Sequence, residues 1–121
     1  MIVIASKTEY AGTVSPAAIG EETTVIEVGP EDDTYLVEGY LDLSAMEAGD
    51  EVVVRIYIAV DGTNYRKFLE VFFRDAQAEP VKRIHTLTLL SNMLLKVTLT
   101  QTAGTLRSFP YGFVKEVMGT A

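Results

Sequence analysis

The amino-acid sequence predicts an all-β fold, a single antiparallel β-sandwich of jelly-roll or immunoglobulin-like type with seven or eight strands. Apolar and polar residues alternate with a period of two along most of the chain, which is typical of strands with one buried face. The alternating runs are short and are separated by turn pairs such as Gly-Pro and Asp-Gly. The length of 121 residues fits one hydrophobic core, since single cores typically serve about 100 to 150 residues.

Residues 1–20 are predicted to form an N-terminal arm or a first edge strand. Small residues and Pro16 interrupt this segment, and only residues 9–14 have the pattern of a short strand. The rest fits either an extended arm that becomes ordered against a neighbouring molecule or a ragged terminus. The sandwich domain is predicted to cover residues 21–121.

The first strands of the sandwich domain are predicted at residues 22–28 and 35–41, on either side of the acidic run 31–33. Residues 43–50 have a helix-forming composition, but the Gly-Asp pair at their end stops a helix within about two turns. We therefore expect a short crossover there and no helix in the core.

The strongest strand is predicted at residues 51–60. Its alternation places one apolar face in the core, namely Val52, Val54, Ile56, Ile58 and Val60. The Asp-Gly pair that follows predicts a hairpin turn. Further strands are predicted at residues 65–74, 81–90, 94–102 and 106–117, and the core residues of the 94–102 strand are Leu95, Val97 and Leu99.

The charge of the chain is strongly acidic and unevenly distributed. The formal net charge is -7, so a nucleic-acid backbone is repelled and nucleic acid is not an expected partner. Residues 1–51 hold 12 acids and one base, whereas residues 52–121 hold 5 acids and 9 bases. Two interpretations stay open: the opposite charges pair across one sheet surface within the chain, or they meet between copies of the chain.

The composition also indicates the cellular compartment in which the protein is made. There is no cysteine, so neither a disulfide framework nor a thiolate metal site is expected. No apolar stretch approaches the about 20 residues of a membrane span, and the N-terminal apolar run is shorter than the core of a signal peptide. We therefore expect synthesis in the cytoplasm and no membrane partner.

No motif of catalysis or cofactor binding is present. The single histidine, His85, lies in a predicted strand on the same face as Val81, Leu87 and Leu89, and the sequence has no Gly-x-Ser-x-Gly elbow and no phosphate-binding glycine loop. Asp61 offers oxygen ligands for calcium, but the spacing matches no EF-hand loop and turn chemistry accounts for this residue. The sequence therefore predicts no enzyme, no catalytic residue, no cofactor and no metal.

Aromatic residues supply the candidate binding surface. The strand at 65–74 is apolar on both faces, and the last strand adds more aromatic area than one core needs. The candidate interface residues are Tyr57, Arg66, Phe68, Phe72, Arg74, Phe109 and Tyr111. One interpretation is a subunit contact, because interfaces are rich in aromatics and arginine. The other is a thick core with a β-bulge that moves side chains from one face to the other.

Three sequence phrases carry a family resemblance: residues 38–43 (EGYLDL), 61–66 (DGTNYR) and 101–105 (QTAGT). Together with the strand pattern of residues 35–117, they resemble small β-sandwich virion proteins of tailed viruses, the capsid decoration or cement class. The resemblance implies a protein that is made in the host cytoplasm and attached in many copies to the outside of the virion. It also implies a homo-oligomer, with a trimer favoured, whose partner is the major capsid protein or another virion protein.

The alternative function is a carbohydrate-binding or receptor-binding β-sandwich of a tail or fibre. Such modules use exposed Tyr or Trp side chains as platforms, and the chain contains six tyrosines but no tryptophan. An enzyme, in contrast, needs a set of convergent polar groups that the sequence does not display.

Overall fold

The computed structural model describes residues 1–120, which form eight strands and no helix. The strands are β1 (Ile2–Val14), β2 (Glu22–Val28), β3 (Tyr35–Asp42), β4 (Glu51–Ala59), β5 (Arg66–Arg74), β6 (Val81–Leu89), β7 (Leu94–Ala103) and β8 (Phe109–Thr120). Within this range, no helix has the length and apolar character needed to cross a membrane.

The strands form two four-stranded antiparallel sheets. Sheet A has the order β1-β8-β3-β6, and sheet B has the order β2-β7-β4-β5. The pairing is nested: β4 pairs with β5, β3 with β6, β2 with β7, and β1 with β8. The predicted β-sandwich is confirmed, and two sheets of four strands correspond to the jelly roll of the two predicted types.

The core lies between the sheets, where alternate side chains of each strand meet. The predicted core residues Val52, Val54, Ile56, Leu95, Val97 and Leu99 are all buried, as are Tyr35, Leu41 and Phe109. Residues 43–50 form turns and no helix, in agreement with the predicted crossover. Leu43 and Met46 of this connection are fully buried, so it closes one end of the sandwich.

Val60 does not belong to the core, although the sequence alternation places it there. The strand β4 ends at Ala59, and the Val60 side chain is 63% exposed. The reason is the turn that begins after Ala59, where the pairing of β4 with both of its neighbours has ended. The alternation of a strand does not continue into a turn.

The N-terminal segment is a longer strand than the sequence pattern predicts. Ile2–Val14 pairs with β8 along its whole length, apart from one bulge between Ile4 and Ser6. Most of its side chains are exposed, and only Tyr10 and Val14 contact the core. The backbone ladder therefore holds this strand, which explains why the hydrophobic pattern reveals only residues 9–14.

The nested pairing places the acidic half of the chain against the basic half. Among residues 1–120 there are nine ion pairs, and six of them join residues 1–51 to residues 52–121. Examples are Glu51 with Arg74 and Glu38 with Arg83. Pairing within one chain therefore engages six of the twelve acidic residues of 1–51, as the first of the two interpretations of the charge distribution proposes.

Candidate functional site

One side of the sandwich is open, and the opening is apolar. The strands β5 and β6 are edge strands of their sheets, and they face each other across the gap between the sheets. Side chains that point inward from these strands stay partly exposed, including Leu69 at 43%, Val71, Phe73, Ile84 and Leu87. They line a cleft of about 300 Å³, which we call the edge cleft.

A bulge in β5 places Phe68 at the mouth of the edge cleft. Opposite β4, Leu69 pairs with Ile56 and Lys67 pairs with Tyr57, so Phe68 has no partner in the ladder. Phe68 is 57% exposed and lines the edge cleft, whereas Phe72 lies on the outer face of sheet B. The sequence prediction put both rings on one face. It is wrong for Phe68 because the bulge inserts one extra residue.

A second bulge lies in β6 at the same opening. Leu87 pairs with Val37 and Ile84 pairs with Gly39, which leaves two residues, His85 and Thr86, opposite Glu38. His85 is exposed and lines the edge cleft. The bulge also separates the exposed Val81 from the inward-pointing Leu87 and Leu89, so the single face that the sequence predicts for these residues and His85 does not exist.

A second hollow of about 320 Å³ continues the edge cleft toward the β4–β5 turn. The two hollows share Phe68 and Leu87, and Arg66 and Met93 line the second one. The continuous opening therefore runs along β5 and β6.

Positively charged side chains that form no ion pair, which we call uncommitted cations, flank the opening. Seven of the ten Lys and Arg residues form ion pairs within residues 1–120, and the other three are Arg66, Lys82 and Lys96. Lys82 lines the edge cleft, with its Nζ 5.1 Å from the centre of the Phe73 ring, and Arg66 lines the second hollow. Lys96 lies elsewhere, on the outer face of sheet B over Tyr57 and Tyr65. Two of the three uncommitted cations thus flank the cleft.

The other candidate interface residues are not at the opening. Tyr57 lies on the outer face of sheet B, where its hydroxyl donates to Glu22 at 2.7 Å, and Arg74 is paired with Glu51. Burial and the neighbouring Glu22 carboxylate raise the pKa of Tyr57. Both side chains are therefore part of polar contacts within the chain.

Phe109 and Tyr111 require a correction. Phe109 is 0% exposed and belongs to the core, and Tyr111 is half-buried and packs against the core beside Phe113. All three aromatic residues share the inward face of β8, so the prediction of Phe109 at an interface is wrong.

The inward residues of β5 and β6 are site residues that the sequence does not reveal as such. Leu69, Val71, Phe73, Ile84 and Leu87 have the pattern of ordinary core residues. The sequence signal that could have indicated the site is the predicted strand at residues 65–74, which is apolar on both faces. Only one face of a strand packs into the core of its own domain, so the other apolar face is a candidate contact for another molecule.

The candidate calcium ligand Asp61 is engaged in the hydrogen bonds of a turn. In residues 1–120 there is no group of three His, Asp or Glu side chains that could hold a metal ion. Asp61 instead accepts hydrogen bonds from the backbone N–H groups of Asn64 at 2.7 Å and Thr63 at 2.9 Å. These bonds, with one from the Asn64 side chain, lower the pKa of Asp61 to about 2, so turn chemistry accounts for this residue.

No protein-family model matches the chain, and no curated protein matches it. Among solved structures, it is similar to the structure of infectious bursal disease virus Gt strain, with 11% identity and a TM-score of 0.48, and to infectious bursal disease virus VP2 subviral particle, with 12% identity and a TM-score of 0.45. In both cases the alignment covers 97% of this chain and 32% of the other. The chain therefore spans about a third of the length of these viral chains.

Proposed function

We propose that this protein is a non-catalytic virion structural protein, a capsid decoration protein that binds and stabilises the capsid shell through the edge cleft. The observation that carries the proposal is the open apolar side of the jelly roll between β5 and β6. A well-formed apolar pocket of this kind is a favoured site for another molecule to bind.

The composition of the edge cleft supports a protein partner. Phenylalanine rings and flanking arginine are enriched at protein interfaces, and binding energy concentrates where such side chains enter a desolvated pocket. Phe68 lies at the centre of the opening, because it lines both hollows. We therefore assign Phe68 as the principal contact residue.

The resemblance to decoration proteins supports the finer part of the proposal. It supplies the partner, the major capsid protein or another virion protein, and the location on the virion. It also implies that the protein forms a homo-oligomer, with a trimer favoured. Residues 1–20 are then either part of the sheet in every copy or an arm that reaches a neighbour.

A binding assay with shell particles tests the proposal. Shells of the parent virus that lack this protein are mixed with purified protein and sedimented, and the bound protein is measured. We expect Phe68→Ser to reduce binding, with Tyr40→Ser as the matched control, because Tyr40 is a similarly exposed aromatic at 55% on the outer face of sheet A. Absence of shell binding by the unmodified protein would exclude the decoration function.

One observation favours carbohydrate binding as a second candidate. Tyr40 borders a shallow hollow of about 340 Å³ that also contains Glu9, Glu38 and Gly112. An exposed ring beside carboxylates is the arrangement on which a sugar can stack and form hydrogen bonds. Binding to a glycan array that is lost in Tyr40→Ser and kept in Phe68→Ser would support this alternative over the decoration function.

A further inference from the structure

The edge cleft has features that specify its partner beyond a general apolar contact. Resting on the proposed function, we propose that it receives an extended acidic segment of the shell protein, and that one large apolar side chain of this segment inserts between the two sheets.

The edge strands favour insertion of a side chain over addition of a strand. A partner that extends a sheet needs a regular row of free backbone groups along an edge. Both edges at the opening are interrupted, β5 at Phe68 and β6 at His85 and Thr86. Bulges and positive side chains on edge strands are the means by which proteins prevent such pairing. The gap between the edges stays accessible.

The volume and walls of the edge cleft fit a single large side chain. The cleft measures about 300 Å³, at the small end of ligand pockets, which span about 300 to 1,000 Å³. Its walls include the Phe68 and Phe73 rings and the aliphatic side chains of Leu69, Val71 and Ile84. A phenylalanine or leucine from the partner therefore buries apolar surface on several sides.

The charge of the rim specifies an acidic segment. Arg66 and Lys82, which lie on this rim, have no carboxylate partner in the described residues. Carboxylates beside the inserted side chain supply the missing partners. The same charges oppose a symmetric contact between the clefts of two copies, because like charges then face each other.

A peptide titration tests this inference without any virion component. The full chain, isotopically labelled for nuclear magnetic resonance, is titrated with the blocked peptide Gly-Asp-Asp-Phe-Asp-Asp-Gly. Two control peptides replace either the four Asp residues with Lys or the Phe with Ser. We expect the acidic Phe peptide to shift the amide signals of β5 and β6, and both control peptides to bind at least about threefold more weakly.

Two protein variants locate the charge effect. Replacing Arg66 and Lys82 together with Ala should weaken binding of the acidic Phe peptide about threefold or more, since each exposed ion pair contributes a small amount. The matched control is Lys96→Ala, which removes the third uncommitted cation but lies away from the cleft. Equal weakening by Lys96→Ala would overturn the assignment of the rim.

Other outcomes would also overturn the inference. Equal binding of the acidic and Lys peptides would exclude charge recognition, and signal shifts outside β5 and β6 would exclude the edge cleft. Self-association that sedimentation detects and Phe68→Ser abolishes would identify a second copy as the occupant. Shell binding that needs Phe68, without peptide binding, would contradict this inference alone. Peptide binding without shell binding would contradict the proposed decoration function and the shell protein as the source of the segment, but not the recognition of an acidic segment by the edge cleft.

Discussion

The Arg107 guanidinium lies 2.9 Å from the carboxylate of Asp50, a side chain that is only 1% exposed. The same carboxylate accepts hydrogen bonds from the backbone N–H groups of Glu47 and Thr105. Burial opposes ionisation of Asp50, but these three donors outweigh it and hold the pKa of Asp50 below its ordinary value. One buried carboxylate thus connects the β3–β4 loop to the β7–β8 loop.

We predict that Asp50→Ala lowers the free energy of unfolding by about 1 to 3 kcal/mol, because it leaves the partly buried Arg107 and two N–H groups without their acceptor. Urea denaturation measures the change. The control is Glu47→Gln, whose carboxylate is exposed and lies 3.9 Å from the same guanidinium. Equal effects of both substitutions would contradict the central role of Asp50.

Gly104 and Gly49 provide a matched pair for backbone and steric effects. Both have a φ of +89°, a conformation that costs other residues about 1 to 2 kcal/mol. A Cβ at Gly104 would lie 2.0 Å from Oδ1 of Asp50, whereas a Cβ at Gly49 meets nothing within 4 Å. We predict that Gly104→Ala destabilises the fold clearly more than Gly49→Ala in thermal melts. Equal melting temperatures would show that the Asp50 loop moves without penalty.

The core prediction concerns Ile56, which is buried between the sheets. Ile56→Ala should lower the free energy of unfolding by about 2 to 5 kcal/mol through lost burial and a residual cavity. Val60→Ala should change it by less than about 0.5 kcal/mol, because Val60 is exposed after the end of β4. Similar denaturation midpoints for the two variants would contradict the end of the core at Ala59.

Acid should destabilise the protein. Hydrogen bonds to Asn64 and Thr63 lower the pKa of Asp61 to about 2, and the pKa of Glu22 is also lowered, since bonds from Thr98 and Tyr57 outweigh its burial. The unfolded chain therefore binds more protons than the folded chain, so this contribution to stability is complete above about pH 5 and is lost as the pH falls toward 2. Urea midpoints measured from neutral to acidic pH test this, and Asp61→Asn should flatten the dependence. A constant midpoint would contradict it.

The hydrophobic pattern was sufficient to predict the fold class and the central core. Val52, Val54, Ile56 and the β7 residues alternate without interruption, and their strands are the central pair of sheet B, which pair with each other in continuous register from Val52 to Ala59. In such strands periodicity identifies which side chains point inward, although outward-facing residues such as Val53 and Thr98 are buried as well.

The edge cleft escaped prediction because it depends on which strands lack a neighbour. Phe68 and His85 occupy bulges, and a bulge is defined by the register against a partner strand that one sequence does not identify. Phe109 was wrongly assigned to an interface because residue type was used in place of strand pairing. Its aromatic character is typical of interfaces, but only the pairing of β8 with β1 and β3 reveals that its face is the inner one.

The nested strand order determines which strands can pair early during folding and which must pair late. Only β4 and β5 are neighbours in both sequence and sheet, so the hairpin across residues 60–65 can close early, while each outer pair must wait for loops of increasing length to close. During translation, the strands before this hairpin leave the ribosome without their partners. Of the eight strands, β1 is made first, and it pairs with β8, which is made last. Slow, late pairing leaves the N-terminal half exposed to aggregation for most of synthesis, which makes its acidic charge a protection for the nascent chain.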